Sequence, residues 1–264
     1  MMQQLRLFFI AMQFFTRIPI PAWVGFDPAW LHHASRYFPA IGWLVGFVTA
    51  AVYALASLLW PPMVAVILST VAGIWLTGAF HEDGFADVCD GFGGGMSAER
   101  VLEIMKDSRV GAYGAIGIGL LLLLKISLLI SLPVAYVVPA LLVAHPLSRL
   151  ASCSLIWCLE YARLEGKAKP LAQHMSDAEW GIAVATVMLP VSLLLVLGLL
   201  PLSSFLCGLV LLILASWWLA RLFIRRVGGY TGDCLGAVQQ LSEVTFYLGL
   251  LALPRSGFYF GFGH

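Results

Sequence analysis

The sequence predicts an all-α, polytopic bundle of transmembrane helices, and three observations carry that prediction. Of its 264 residues, 61% are hydrophobic and 11% are charged, where a soluble domain carries about 25% charged residues. A chain this short cannot hide so much apolar surface around one aqueous core, so lipid has to solvate much of it. Apolar runs near the length needed to cross a bilayer, about 20 residues, also recur along the whole chain.

Residues 1–20 are the exception among these runs. Their apolar centre contains Arg6, Arg17 follows it, and no A-x-A site appears. A cleavable signal is therefore not expected. The segment reads as an interfacial or re-entrant helix, ended by a loop broken at Pro19 and Pro21. Spans are then expected at 38–60, 63–80, 110–132, 134–159, 181–200, 203–224 and 235–253. That makes about seven, within a range of six to eight. The second is short and is expected to run on as helix into the polar stretch after Phe80. Residues 1–254 read as a single membrane-embedded domain. The glycine- and aromatic-rich stretch 255–264 reads as a tail, either natural or a cloning remnant.

The loops sort by charge. Those around Trp60, 131–136 and 200–204 are short and uncharged. The opposite set carries Arg100, Lys106 and Arg109, then Arg163, Lys167 and Lys169, then Arg225 and Arg226, with Arg221 at the adjoining helix end. Positive charge concentrates on the cytoplasmic side of membrane proteins, so this second set is expected there. The N-terminal segment joins it, and seven spans would leave the C-terminus outside. A formal charge of +1 argues against nucleic acid, which calls for a basic patch. The five cysteines, Cys89, Cys153, Cys158, Cys207 and Cys234, show neither a CxxC pair nor zinc spacing, and are read as reduced and structural.

The densest chemistry follows the second span, in HEDGFADVCDG (81–91) and the glycines up to Gly95. Asp83, Asp87 and Asp90 stand at i, i+4 and i+7, so on a helix they share one face. Glu82 adds a fourth carboxylate. Such acids at a membrane edge repel one another unless a cation compensates, and oxygen-only ligands favour Mg²⁺, Mn²⁺ or Ca²⁺ over zinc. Magnesium takes one or two carboxylates and completes its shell with water and phosphate. The site thus invites a phosphate-bearing substrate. The plainer alternative is a solvated helix end paired with nearby cations.

Two further loops complete the picture. EIMKDSRVGAYG (103–114) sets Lys106 and Arg109 three apart. Arginine's planar fork suits phosphate, and lysine acts as a point charge. Positive-inside topology explains the same cations without any function. Asp107 has three roles open to it: completing a metal shell, anchoring Arg109, or acting as a base. GGYTGDCLG (228–236) is a glycine-rich turn opening into a helix, which can hold an anion at its N-terminus through Thr231, Gly232 and Asp233. Asp233 is also placed to cap that helix. Within the spans, Lys125, His145, Arg149 and Glu243 need partners or a cavity. His145 and Arg149 share one helical face and either line a substrate cavity with Glu243 or serve as packing glue. Lys125–Glu243 and Arg149–Glu243 are the candidate pairs for the latter.

HEDGFADVCDG, EIMKDSRVGAYG and GGYTGDCLGAVQQLSE together resemble the cobalamin synthase (adenosylcobinamide-GDP ribazoletransferase) family. The resemblance runs from Phe15-Thr16-Arg17-Ile18-Pro19 to about Leu253. It implies an enzyme of the bacterial inner membrane, with its active site on the cytoplasmic face. That enzyme joins adenosylcobinamide-GDP to α-ribazole or its 5′-phosphate, releases GMP and needs Mg²⁺. On that reading Asp83, Asp87 and Asp90 hold the metal, with Glu82 or Asp107 assisting. Lys106 and Arg109 bind phosphate, and Thr231, Gly232 and Asp233 close the site. Asp90 and His81 are the candidate bases. The expected partners are these small molecules and the bilayer, with self-association or a complex with other corrinoid-pathway enzymes left open. One position departs from the pattern: some members carry a glutamate three residues before Glu243, where this chain has Gln240.

Two rivals fit less well. A CDP-alcohol phosphotransferase also clusters aspartates around Mg²⁺, but its D-G-x-x-A-R signature is missing. A transporter would place its site at mid-bilayer, whereas these acids gather at the membrane edge.

Overall fold

A computed structural model describes residues 2–25, 27–162 and 174–253. The loop cations Arg163, Lys167 and Lys169 and the tail 255–264 lie outside the described residues. The fold is all-α, as expected. Helix α1 (Met2–Phe15) leads through a short 3₁₀ turn to α2 (Pro28–Ala34), which continues into α3 (Phe38–Ala56). Then come α4 (Pro62–Thr77), α5 (Phe80–Gly94), α6 (Ala98–Ile104) and α7 (Ala112–Ser131). The chain closes with α8 (Val134–Cys158), α9 (Asp177–Val196), α10 (Leu202–Val227) and α11 (Gly232–Ala252).

Among the described residues, five stretches are long and apolar enough to cross a membrane: Trp30–Ala56, Ala112–Ser131, Val134–Cys158, Asp177–Val196 and Leu202–Val227. The pair α4 and α5 makes a sixth if its two halves count as one broken span. The chain is thus a multi-pass membrane protein. The expected span at 235–253 is present as α11, about 31 Å long at 1.5 Å per residue. It falls short on apolar character because Gln239, Gln240, Ser242 and Glu243 interrupt it. All four are buried. Helix α11 is the hub of the bundle, packed against α10, α5, α8 and α7, so its polar residues face protein rather than lipid. At the α10 contact Gly208 and Gly249 meet backbone to backbone, the close approach that small residues permit between membrane helices.

The polar stretch after Phe80 is helical, as expected, but as the separate helix α5 and not as an extension of α4. The chain turns by 88° between α4 and α5. Gly78 (φ 66°) and Ala79 (φ 60°) both adopt left-handed backbone there. Glycine does so freely, but alanine does so at a cost on the order of 1 kcal/mol. The break is secured from outside: the Arg17 amide donates to the Leu76 carbonyl (2.9 Å), one of the acceptors that a helix end leaves open. Helix α1 seals this corner, with Phe15 stacked on His81 at 5.2 Å. At 14 residues it is too short to span, in keeping with an interfacial or re-entrant position.

Candidate functional site

The 88° turn lays the acidic motif along α5 at one end of the bundle, and all three sequence motifs converge on that helix. Helix α5 carries Asp83, Asp87 and Asp90 on one face, as their spacing requires, but their surroundings differ. Asp83 is exposed, Asp87 half-buried and Asp90 buried.

Asp90 joins the acidic motif to the cationic loop. Its Oδ2 accepts from the Gly111 amide (2.7 Å) and its Oδ1 from the Gly114 amide (2.8 Å). Both oxygens therefore cap the N-terminus of α7, where amides lack helical partners and the helix dipole favours an anion. A side chain at Gly111 or Gly114 would run into this carboxylate. The metal and base roles expected for Asp90 compete with this engagement.

In the loop itself, Asp107 anchors Arg109. Its carboxylate accepts from Arg109 Nε (3.0 and 3.1 Å), Nη2 (2.6 Å) and the Arg109 amide (3.1 Å). Hydrogen bonds from the Arg109 side chain, and then from its amide, hold the Asp107 carboxyl down at about 2. The same partnership raises the Arg109 guanidinium. Of the three roles open to Asp107, the geometry shows the anchor. Lys106 and Arg109 are both exposed.

The third motif packs against the first turns of α5. An added Cβ at Gly84 would sit 3.0 Å from Asp233 backbone atoms, and one at Gly236 would sit 3.1 Å from the His81 carbonyl. Thr231, not Asp233, is the N-cap of α11: its Oγ1 accepts from the Cys234 amide (3.3 Å). Tyr230 pairs with the end of α8, since the Ala162 amide donates to Tyr230 O (2.9 Å) and the Tyr230 amide to Glu160 O (3.1 Å). Arg226 closes the other side, donating to the carbonyls of Gly95 (2.6 Å) and Phe92 (3.3 Å).

The other face of α5 points inward. His81 and Glu82 are buried and line a polar cavity with Lys125, His145, Arg149 and Glu243. Its free volume of about 20 Å³ is room for roughly one water, so in this form no substrate fits. Glu243 Oε1 takes Lys125 Nζ (2.6 Å) and the Tyr247 hydroxyl (3.2 Å). Its Oε2 takes Gln239 Nε2 (2.8 Å) and faces His145 Nδ1 (3.3 Å). The Lys125–Glu243 glue is therefore what forms, and Arg149 instead donates to the His145 carbonyl (3.0 Å).

Sequence reasoning missed how Glu82 joins this network. Gln240 Nε2 donates to Glu82 Oε1 (2.9 Å) and to Gln239 Oε1 (2.9 Å). Two adjacent glutamines in an apolar stretch were the available signal. Gln240 thus supplies a donor that an ionised glutamate could not. It also missed Glu179, which caps α9 through Ser176 and receives His33 (2.7 Å) and Arg36 (2.5 Å).

Among the described residues no group of three or more His, Cys, Asp or Glu side chains converges as a ready metal site. Glu82 is turned into the core and Asp90 is held by amides. Asp83, exposed, and Asp87, half-buried and engaged by a neighbour, lie one turn apart on α5. Two carboxylates match what Mg²⁺ asks of a protein when phosphate and water complete its shell. The donor set fits as a half-site.

Comparison with known proteins agrees with the motifs. A family model described as cobalamin-5-phosphate synthase matches residues 7–251. The chain is 46% identical to the adenosylcobinamide-GDP ribazoletransferase of Shewanella frigidimarina, covering 97% of both chains. It is 49% identical to the protein of that name from Ralstonia pickettii, over 93% of this chain and 95% of the relative. No solved structure matches. With the match spanning nearly every residue and all three motifs gathered on α5, the chain belongs to the cobalamin-5-phosphate synthase family.

Proposed function

We infer that the chain is an adenosylcobinamide-GDP ribazoletransferase, a transferase of cobalamin biosynthesis working in a membrane. The observation that carries this reading is near-full-length identity to proteins of that name. The reaction joins a hydroxyl of α-ribazole, or of its 5′-phosphate, to the phosphorus attached to cobinamide. The new P–O bond forms as the bond to GMP breaks, and the hydroxyl loses its proton. The difficulty is charge, because a diphosphate has to be bound and a phosphate has to leave.

Each part of the site answers some of that. Lys106 and Arg109 lie on the face that receives the diphosphate, and Asp107 preorients the Arg109 fork. Asp83 and Asp87 would hold Mg²⁺, which when bound neutralises phosphate oxygens as in other phosphoryl transfers. Asp90 fixes the cationic loop to α5, so cations and acids keep their register. Thr231 starts α11 beside Gly84, presenting Gly232 and Asp233 to the same face. His81 and Glu82 brace that helix from below. Of the two candidate bases, Asp90 is committed to two amides and His81 is buried under Phe15. The hydroxyl proton is therefore assigned to the exposed Asp83, at the carboxylate oxygen that a metal would leave open. The loop charges fit a cytoplasmic active site in a bacterial inner membrane by the positive-inside rule.

The test is direct. Lipid-reconstituted protein is given adenosylcobinamide-GDP, α-ribazole 5′-phosphate and Mg²⁺, and GMP and corrinoid product are followed by chromatography. Metal-dependent formation of both is expected. Folded protein that forms neither, but transfers a phosphoalcohol from a CDP-alcohol, would replace this reading with lipid synthesis.

A further inference from the structure

Helices α9 and α10 follow one another through a five-residue connection, 197–201, yet they are splayed. Each leans on α8, and among the described residues they barely touch one another. An apolar groove of about 460 Å³ fills the gap, with Leu147 and Leu155 as its floor and Trp180, Met188, Ile213 and Trp217 as its walls. Ser154 and Ser216 also line it, but their hydroxyls donate to Ala151 O (2.6 Å) and Leu212 O (2.8 Å) of their own helices. The surface is therefore apolar in effect. All three helices are candidate spans, so the groove opens onto hydrocarbon.

The end of the groove nearest the candidate site is marked for a headgroup. Trp157 stacks on Trp180 (5.1 Å, 4° between planes) and donates its indole N–H to Asp177 (2.8 Å). This is the amphipathic arrangement found at the membrane–water boundary. The α10 face that lines the groove runs Ile213, Trp217 and then, at the same four-residue step, Arg221 and Arg225. Arg221 lies over the Trp217 ring at 5.5 Å. Among the described residues neither arginine has a carboxylate partner. An apolar groove that continues into two such cations complements an amphiphile with an acyl tail and an anionic head. We propose that the α8–α9–α10 groove binds an anionic phospholipid, with an acyl chain between α9 and α10 and the phosphate at Arg221 and Arg225.

The full chain is reconstituted in vesicles of phosphatidylglycerol and phosphatidylcholine. The anionic lipid carries a photoactivatable diazirine in its acyl chain, and adducts are mapped by mass spectrometry. Labelling is expected to concentrate severalfold on groove residues of α8, α9 and α10 over the other lipid-facing helices. Native mass spectrometry should retain phosphatidylglycerol over phosphatidylcholine. Arg221→Ala with Arg225→Ala should remove that preference, and Ser216→Trp, which fills the groove, should remove groove labelling. Labelling spread evenly over all exposed helix faces, or equal retention of both lipids by the wild type, would overturn the proposal. So would a groove occupied by a second copy of the chain, seen as protein–protein crosslinks at Trp217.

Discussion

Two groups of charged residues lie within one helix thickness of each other and behave in opposite ways. On the open face of α5 and its neighbouring loop, Asp83, Lys106 and Arg109 are exposed and Asp87 is half-buried. On the covered face, Lys125, Arg149 and Glu243 are fully enclosed, and Glu243 alone takes up Lys125, Gln239 and Tyr247. A charge out of water has to be paired or hydrogen-bonded, and Glu243 meets that demand within the bundle. Arg149 Nε, His145 Nε2 and Glu82 Oε2 have no hydrogen-bond partner among the described residues. The outer group lies open to solvent, with Asp83, Lys106 and Arg109 exposed. Asp90 is the instructive intermediate: it belongs to the outer motif by sequence and to the frame by geometry.

The largest expected effect comes from breaking the outer group. Asp87→Ala should lower turnover by on the order of 10³-fold while leaving the thermal unfolding midpoint in detergent nearly unchanged. Loss of folding instead of turnover would place Asp87 in the frame. Next comes the inner group. Glu243→Leu should destabilise by about 3–5 kcal/mol, because it leaves Lys125 buried and unpaired. Adding Lys125→Met should restore much of that stability, as neutral pairs often do. A double variant no better than the single one would show that the pair is not the source of the cost.

Asp90→Ala should sit between these. Losing a helix cap costs about 1 kcal/mol, and a loosened cationic loop should raise KM for the diphosphate substrate more than it lowers kcat. Asp90→Asn keeps one acceptor and should recover part of the effect. The smallest effect concerns pH. The Asp107 carboxyl is held at about 2, below its unfolded value near 4. The help it gives Arg109 is thus complete above about pH 4 and is lost only as pH falls through that lower value. Activity between pH 6 and 9 should carry no inflection from Asp107, and Asp107→Asn should leave the shape of that profile unaltered.

Much of this comparison was legible in the sequence. Apolar runs located the long helices, and the i, i+4, i+7 spacing put three aspartates on one face of α5. The Lys125–Glu243 pair was one of two candidate pairings. What escaped were facts of tertiary packing. No local signal distinguished Asp90 from Asp87, because the difference lies in two glycine amides more than twenty residues away. The 88° turn depends on Ala79 adopting a glycine-like φ, against its own propensity. The capping role divided between Thr231 and Asp233 the other way from the expectation, since both residue types cap well.

Binding of Mn²⁺, as a paramagnetic stand-in for Mg²⁺, tests the central division most directly. Electron paramagnetic resonance would be recorded on the reconstituted protein with adenosylcobinamide-GDP present. The account predicts a bound Mn²⁺ signal in the wild type and in Asp90→Asn, and its loss in Asp87→Asn. A signal that survives in Asp87→Asn but disappears in Asp90→Asn would contradict it, and would make Asp90 the ligand and Asp87 part of the frame.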